Sequence, residues 1–297
     1  MAPRFEIVIS AENVPYMAWQ ALVFRHSCVT KLGLEPIVMV HGDEERLIAP
    51  FEQLVADGGR VQRARNYRLF RGFEYPPRNS PASLWHVETE ADYVVLCDPD
   101  LVIVGRWDLG AYALAERAVS FDSVSYLVVG EDNGADLAQA CRAHGVTLDG
   151  LRDPRLRGGI PHIVPAGIRR ELARTWLECL DSFFPEHAAQ AGPEVPFPWL
   201  SLASMWGIAM AARCLGCEPV LTRFCETNHR GDRGWPDRAH PDAALIHYCY
   251  GDARFDKRRV RGIEDWEALA PALAAAGTVH CEVASAIAAA GAHHGRI

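Results

Sequence analysis

The chain has 297 residues, enough for one large domain or two modest lobes around a sizeable core. Hydrophobic residues make up 49% and charged residues 23%, the balance of an ordinary globular protein. A formal net charge of −8 argues against a general nucleic-acid binder, which needs a basic footprint, but leaves room for a local basic pocket.

The opening residues, Met1 to Ser10, run straight into a strand at Glu6–Ser10 and lack the charged, apolar and small-residue regions of a signal peptide. No apolar run approaches the ~20 residues needed to span a bilayer, so a cytoplasmic protein without a membrane span is expected. Pro15 to about Leu32 is predicted helical, with Gly33 as its stop. Pro36–His41 reads as a second strand. Asp43 is expected to cap a helix with Leu47, Ile48, Phe51, Leu54 and Val55 on its apolar stripe, ended by Gly58 and Gly59. Arg60, Arg63, Arg65, Arg68 and Arg71 crowd the next segment, which reads as a solvated basic loop, with phosphate binding as the sharper alternative. Ser80 and Pro81 are expected to open a third helix as N-cap and first-turn residue, leading into a buried strand at Tyr93–Leu96. This βαβαβ order predicts an α/β fold with a mostly parallel sheet and helices on both faces.

The second half is less regular. Residues 118–121 and 125–129 read as strands, and residues 133–144 and 167–184 as helices. A Pro-rich linker, Gly192 to Pro198, leads into an apolar helix from Trp199 to about Cys214. Residues 243–248 form a late strand, and the Ala-rich end a terminal helix. The nine cysteines, an odd number without a secretion signal, read as reduced thiols. Cys214 and Cys217 form a lone C-x-x-C. With no second pair at zinc-site spacing, zinc or redox chemistry is the lesser reading there.

The first strand is followed by Ser10-Ala11-Glu12-Asn13, not by a G-x-G-x-x-G fingerprint, which disfavours a dinucleotide oxidoreductase. There is no Walker motif and no G-x-S-x-G elbow. The chemistry concentrates instead at Leu96-Cys97-Asp98-Pro99-Asp100, between two buried-strand runs. Two carboxylates there need a cation or water, because an unpaired buried carboxylate is costly. Open α/β sheets bind ligands outside the carboxyl ends of their strands. Asp98 and Asp100 are therefore candidate ligands for Mn²⁺ or Mg²⁺ facing a diphosphate; the plainer alternative is an acidic turn. His247, at the end of the late strand, is a candidate third ligand, against a hydrogen-bonded core histidine. Lys257 is a candidate point charge for the diphosphate, against a solvated surface lysine.

Taken in order, these features resemble the GT-A glycosyltransferases, and within them the group of hydroxyproline O-arabinosyltransferases and peptidyl-serine α-galactosyltransferases. The matching residues are Pro15-Tyr16 and Trp19-Gln20; Asn79-Ser80-Pro81 with Trp85; the strand carrying Asp98 and Asp100; and Pro161-His162-Ile163-Val164 before a helix with Trp176. They continue with Glu194 five residues before Trp199, His247-Tyr248-x-Tyr250-Gly251, and Phe255-Asp256-Lys257-Arg258. The chain departs from the group at Ser80, where the group has lysine, and in the short segment between Gly251 and Phe255.

The resemblance implies a GT-A (Rossmann-like nucleotide-diphospho-sugar transferase) domain over residues 1–262, followed by an Ala-rich helical tail at 263–297. It implies a nucleoside-diphosphate sugar donor, with UDP as nucleotide, a peptide or small-molecule hydroxyl acceptor, and retention of configuration. Asp98, Asp100 and His247 would hold Mn²⁺ or Mg²⁺. Ser10, Ala11, Asn79, Ser80, Gly251 and Lys257 would contact the donor, and Glu194 would be the polar group near sugar or acceptor. The alternatives are a sugar-1-phosphate nucleotidyltransferase, disfavoured because Ser10 to Val14 lacks a Gly-rich basic loop, and a non-catalytic sugar-nucleotide-binding protein.

Overall fold

The computed structural model describes residues 2–112, 115–184, 202–227, 239, 241–249 and 254–294. The amino-terminal half alternates strand and helix: β1 (Phe5–Glu12), α1 (Pro15–Leu32), β2 (Ile37–His41), α2 (Ala49–Ala56), β3 (Arg60–Ala64), a short hairpin of β4 (Leu69–Phe70) and β5 (Phe73–Glu74), then α3 (Asn79–His86), β6 (Tyr93–Cys97) and β7 (Leu101–Ile103). β1 is buried from Ile7 to Glu12 because it is central in its sheet and covered on both faces. Pro15 supplies the preset φ of a first helical turn, and Gly33, at φ 66°, closes α1 in the left-handed conformation.

Three expectations about this half need correction. Arg60–Ala64 is not a loop but the edge strand β3, parallel to β2. Its charged side chains face solvent, as edge strands tolerate. Asp43 does not cap α2: its carboxylate accepts the Asn66 amide at 3.1 Å, and Ile48 precedes the first turn, where Pro50 fits. Ser80 lies inside α3, which starts one residue earlier, after Arg78.

The second half contributes β8 (Ala118–Ser123), α4 (Gly134–Ala143), α5 (Leu148–Leu151), β9 (Gly158–Gly159), β10 (His162–Pro165), α6 (Arg169–Asp181), α7 (Ala203–Cys214), β11 (Glu218–Thr222), β12 (Cys225–Thr227), β13 (Leu245–His247), α8 (Trp266–Leu273) and α9 (Val279–His294). The expected strand at 125–129 does not form. The Val128 amide donates back to Tyr126 O at 3.0 Å, a tight turn that no ladder can accommodate. Only part of the Pro-rich linker's surroundings is described; residues 185–201 lie outside.

The main sheet has the order β10-β6-β1-β2-β3, parallel except for β10. A second sheet, β11-β8-β9, meets β10 where the Ile163 amide donates to Ser120 Oγ at 2.7 Å, and within it Gly158 lets β9 approach β8 closely, since a Cβ there would stand 2.5 Å from Phe121 Cβ. A third sheet, β12-β13-β7, branches off where β6 ends. Apolar side chains of α1, β7, β13, α8 and α9 form one cluster that includes Trp19, Val102, Ile246, Tyr248, Phe255 and Ile287. This cluster carries the late chain, and with it His247 and Lys257, back to the carboxyl end of β6.

Candidate active site

Asp98 follows β6 and Asp100 precedes β7, so the two carboxylates stand where the chain leaves the main sheet for the third one. The antiparallel register of β13 with β7 places His247 opposite Leu101, beside Asp100. His247 Nε2 lies 3.1 Å from Asp100 Oδ1 and 3.8 Å from Asp98 Oδ2. One ligand atom from each of the three residues can be chosen so that all lie within 4.8 Å of one another. Lys257 completes the group by donating to Asp100 Oδ2, with its Nζ 6.0 Å from the centroid of the Tyr16 ring.

The electrostatics of this group are uneven. Burial raises the pKa of Asp98 to about 6, reinforced by the charge of Asp100 and only partly opposed by His247 and Lys257. Burial acts the same way on Asp100, but there Lys257 and then His247 outweigh it and hold the carboxyl far below the usual range. His247 would be pushed down by burial, yet Asp100 and Asp98 raise it. Two carboxylates thus share one lysine and one histidine, and Asp98, with a third of its side chain exposed, is the one left short of positive charge.

A cavity of about 290 Å³ opens next to this group. Its other end is built at the carboxyl end of β1 and the start of α3. Ser10 is tied to Ser83 at 2.9 Å, and Ser83 to His41 Nε2 at 2.6 Å. Glu12, nearly buried, accepts from Asn79 Nδ2 at 3.0 Å and from Arg68 at 3.0 Å. Arg68 belongs to the arginine-rich segment, and here its guanidinium also reaches Glu74 at 2.7 Å, so it anchors a carboxylate in place of solvent.

Among the described residues, the structure brings Ser10, Ala11, Asn79, Ser80, Asp98, Asp100, His247 and Lys257 to the wall of this one cavity. Glu194 and Gly251 lie outside the described residues. The sequence reading missed Glu12, Tyr16, Tyr126 and Met205, which line the same cavity. Glu12 carried a usable signal, since a carboxylate directly after an apolar strand raises the same burial argument as Asp98. Tyr126 and Met205 carried none, because their place depends on how the second half folds over the first.

No protein-family model matches the chain, and no curated protein matches it. Solved structures do. The chain is similar to the galactosyltransferase LgtC in complex with donor and acceptor sugar analogues, with a TM-score of 0.52 at 15% identity over 94% of this chain and 95% of that one. It is likewise similar to an active-site mutant of LgtC, with a TM-score of 0.50 at 14% identity over 84% of this chain and 88% of that one. The likeness extends over nearly the whole length of both molecules, and it establishes the fold: a mixed α/β GT-A architecture with a mostly parallel central sheet.

Proposed function

We propose that this chain is a metal-dependent glycosyltransferase that moves a sugar from a UDP-sugar to a hydroxyl acceptor with retention of configuration. The observation that carries this reading is the convergence of Asp98, Asp100, His247 and Lys257 at one end of a cavity whose other end is lined by Ser10, Glu12 and Asn79. The donor set suits a hard divalent cation. Two carboxylates and an imidazole offer oxygen and nitrogen ligands, and Asp98 is short of positive charge in their company. Asp98, Asp100 and His247 would hold Mn²⁺ or Mg²⁺, and when bound the ion supplies positive charge against the two phosphates of the leaving nucleotide.

The chain's own residues account for the remainder. Lys257, fixed by Asp100, holds an ammonium on the diphosphate side and stabilises negative charge there. Ser10, Ala11, Asn79 and Ser80 receive the nucleoside, with Glu12 held rigid by Asn79 and Arg68 as a further acceptor. Gly251 is assigned to the donor side and Glu194 to the acceptor side. Ser204 and Met205, where α7 begins, face the cavity from the second half and border the acceptor, a peptide or a small molecule. Retention by front-face attack needs no strong nucleophile, since positioning and leaving-group stabilisation carry it. LgtC itself was solved with donor and acceptor sugar analogues bound, which supports a cleft of this fold serving both substrates.

A panel of nucleotide sugars in thermal-shift format, with and without Mn²⁺, tests the reading. A true donor should raise the midpoint only with the metal, by about 2.7 kcal/mol of stability at a hundredfold excess over its dissociation constant. Slow release of UDP without acceptor marks a transferase and not a mere binder. Pyrophosphate-dependent turnover would assign a nucleotidyltransferase instead, and no shift with any nucleotide sugar would overturn the proposal.

A further inference from the structure

Away from the cavity, three helices end at one place. Cys141 lies in the last turn of α4, with His144 as the residue that caps its carboxyl end. Cys179 lies in the last turn of α6, and Cys214 is the last residue of α7. One ring nitrogen of His144 and the sulfurs of Cys179 and Cys214 all lie within 4.8 Å of one another. His144 Nε2 is buried and has no hydrogen-bond partner among the described residues. An orphaned buried ring nitrogen is costly unless something else receives its lone pair.

Cys179 is fully buried, whereas Cys214 is only half-buried, so the cluster has a route to solvent. The helix carboxyl ends bring partial negative charge together, which favours a cation and disfavours bare thiolates. Cys214 Sγ donates to His144 O at 3.7 Å, so the last residue of α7 already touches the residue that caps α4.

We propose that His144, Cys179 and Cys214 form a structural zinc site, distinct from the Asp98–Asp100–His247 group. Zn²⁺ takes sulfur at about 2.3 Å and imidazole nitrogen at about 2.0–2.1 Å in a tetrahedron, so ligand atoms on one ion stand roughly 3.5–4 Å apart. Binding would draw the present spread, up to 4.8 Å, in to that distance. Each thiol gives its proton to solvent as its sulfur binds, so one ion enters and two protons leave. The fourth position is left to water. The ion would tie α4 to the ends of α6 and α7, the helices joined again by the bond from Trp176 Nε1 to Ser204 O at 2.8 Å, beside the cavity. No short motif announces this site, because its ligands come from the ends of three separate helices.

Cobalt(II), a spectroscopic stand-in for zinc, tests the site in the full-length protein kept reduced with a phosphine. One equivalent should produce a near-ultraviolet sulfur-to-cobalt charge-transfer band, which Zn²⁺ then displaces. The oxygen and nitrogen ligands of the other group cannot give this band, so Asp100→Ala should leave it unchanged. Cys179→Ser and Cys214→Ser should each diminish it. His144→Ala, at a half-buried ring with no hydrogen bond at Nε2, should fold and yet weaken cobalt affinity by about tenfold or more. A folded wild-type protein that shows no such band at saturating cobalt overturns the proposal without recourse to any variant. So does a band that survives in the Cys179→Ser/Cys214→Ser double variant.

Discussion

At the β1–α3 end of the cavity, Glu12 is matched by Asn79 and Arg68, and Ser10 is tied through Ser83 to His41. At the opposite end two carboxylates share one lysine and one histidine, and burial with the charge of Asp100 takes Asp98 up to about 6. The buried histidines show the same contrast. Burial takes His41 down to about 4, whereas Asp100 and Asp98 outweigh burial and raise His247. A group whose partners are already present keeps its shape. A group left with uneven charge selects what comes to it. The first end is therefore a preformed mould, and the second, on the function proposed above, an attractor for a cation.

The strongest way to break this contrast is Asp100→Ala. It should abolish Mn²⁺-dependent UDP binding by calorimetry and lower UDP release from the donor by about 10²–10³-fold, the scale on which a single electrostatic stabiliser acts. If the variant binds UDP with Mn²⁺ as tightly as the parent does, the attractor lies elsewhere.

Next in size is the response of the buried histidines to acid. Burial holds His41 and His162 neutral, each with a pKa of about 4, against an unfolded value near 6.5. Between those two values the unfolded chain binds more protons than the folded one. Stability is therefore complete above pH 6.5 and falls as pH drops towards 4, by up to about 3 kcal/mol for each histidine. Urea unfolding across that window should show the slope, and His41→Gln should flatten it. An unaltered slope would mean that His41 charges without cost in the folded protein.

Glu12→Gln sharpens the contrast from the satisfied side. It weakens a charge-assisted contact with Arg68 and should cost about 1.5–3 kcal/mol in urea unfolding, while Mn²⁺-dependent nucleotide binding persists. Complete loss of that binding with little change in stability would move Glu12 from the mould to the metal end. The smallest effect is expected at Ser80, which lines the cavity where the resembled family has lysine. Ser80→Ala should change stability by no more than about 0.5 kcal/mol, checked by the same unfolding curves.

Much of this was legible in the sequence, and what was not has identifiable causes. β1, α1, β2 and β6 announced themselves through apolar runs, a proline at a helix start and a glycine at its end. Asp98 and Asp100 were conspicuous because carboxylates interrupt an apolar passage. β3 was hidden because an exposed edge strand reads as a polar loop. The helix starts at Asp43 and Ser80 were misplaced because a capping residue is only a local preference, and Asp43 had a better partner in the Asn66 amide. The pairing of His247 with Asp100, 147 positions apart, was accessible only through the resemblance, since the register of β13 on β7 is a property of the assembled fold.

The junction at Pro99 has a mechanical consequence. Asp98 directly follows β6 of the main sheet, while Asp100 directly precedes β7 and His247 ends β13, both of the third sheet, which branches there. Whatever grips both aspartates acts as a rivet across a seam between two sheets. The Tyr248 amide crosses the adjacent gap between chain segments to Asp100 O at 3.1 Å, so it is the natural strain gauge for that rivet. Its hydrogen exchange should slow when Mn²⁺ and UDP are added together, registering a joint that has stiffened.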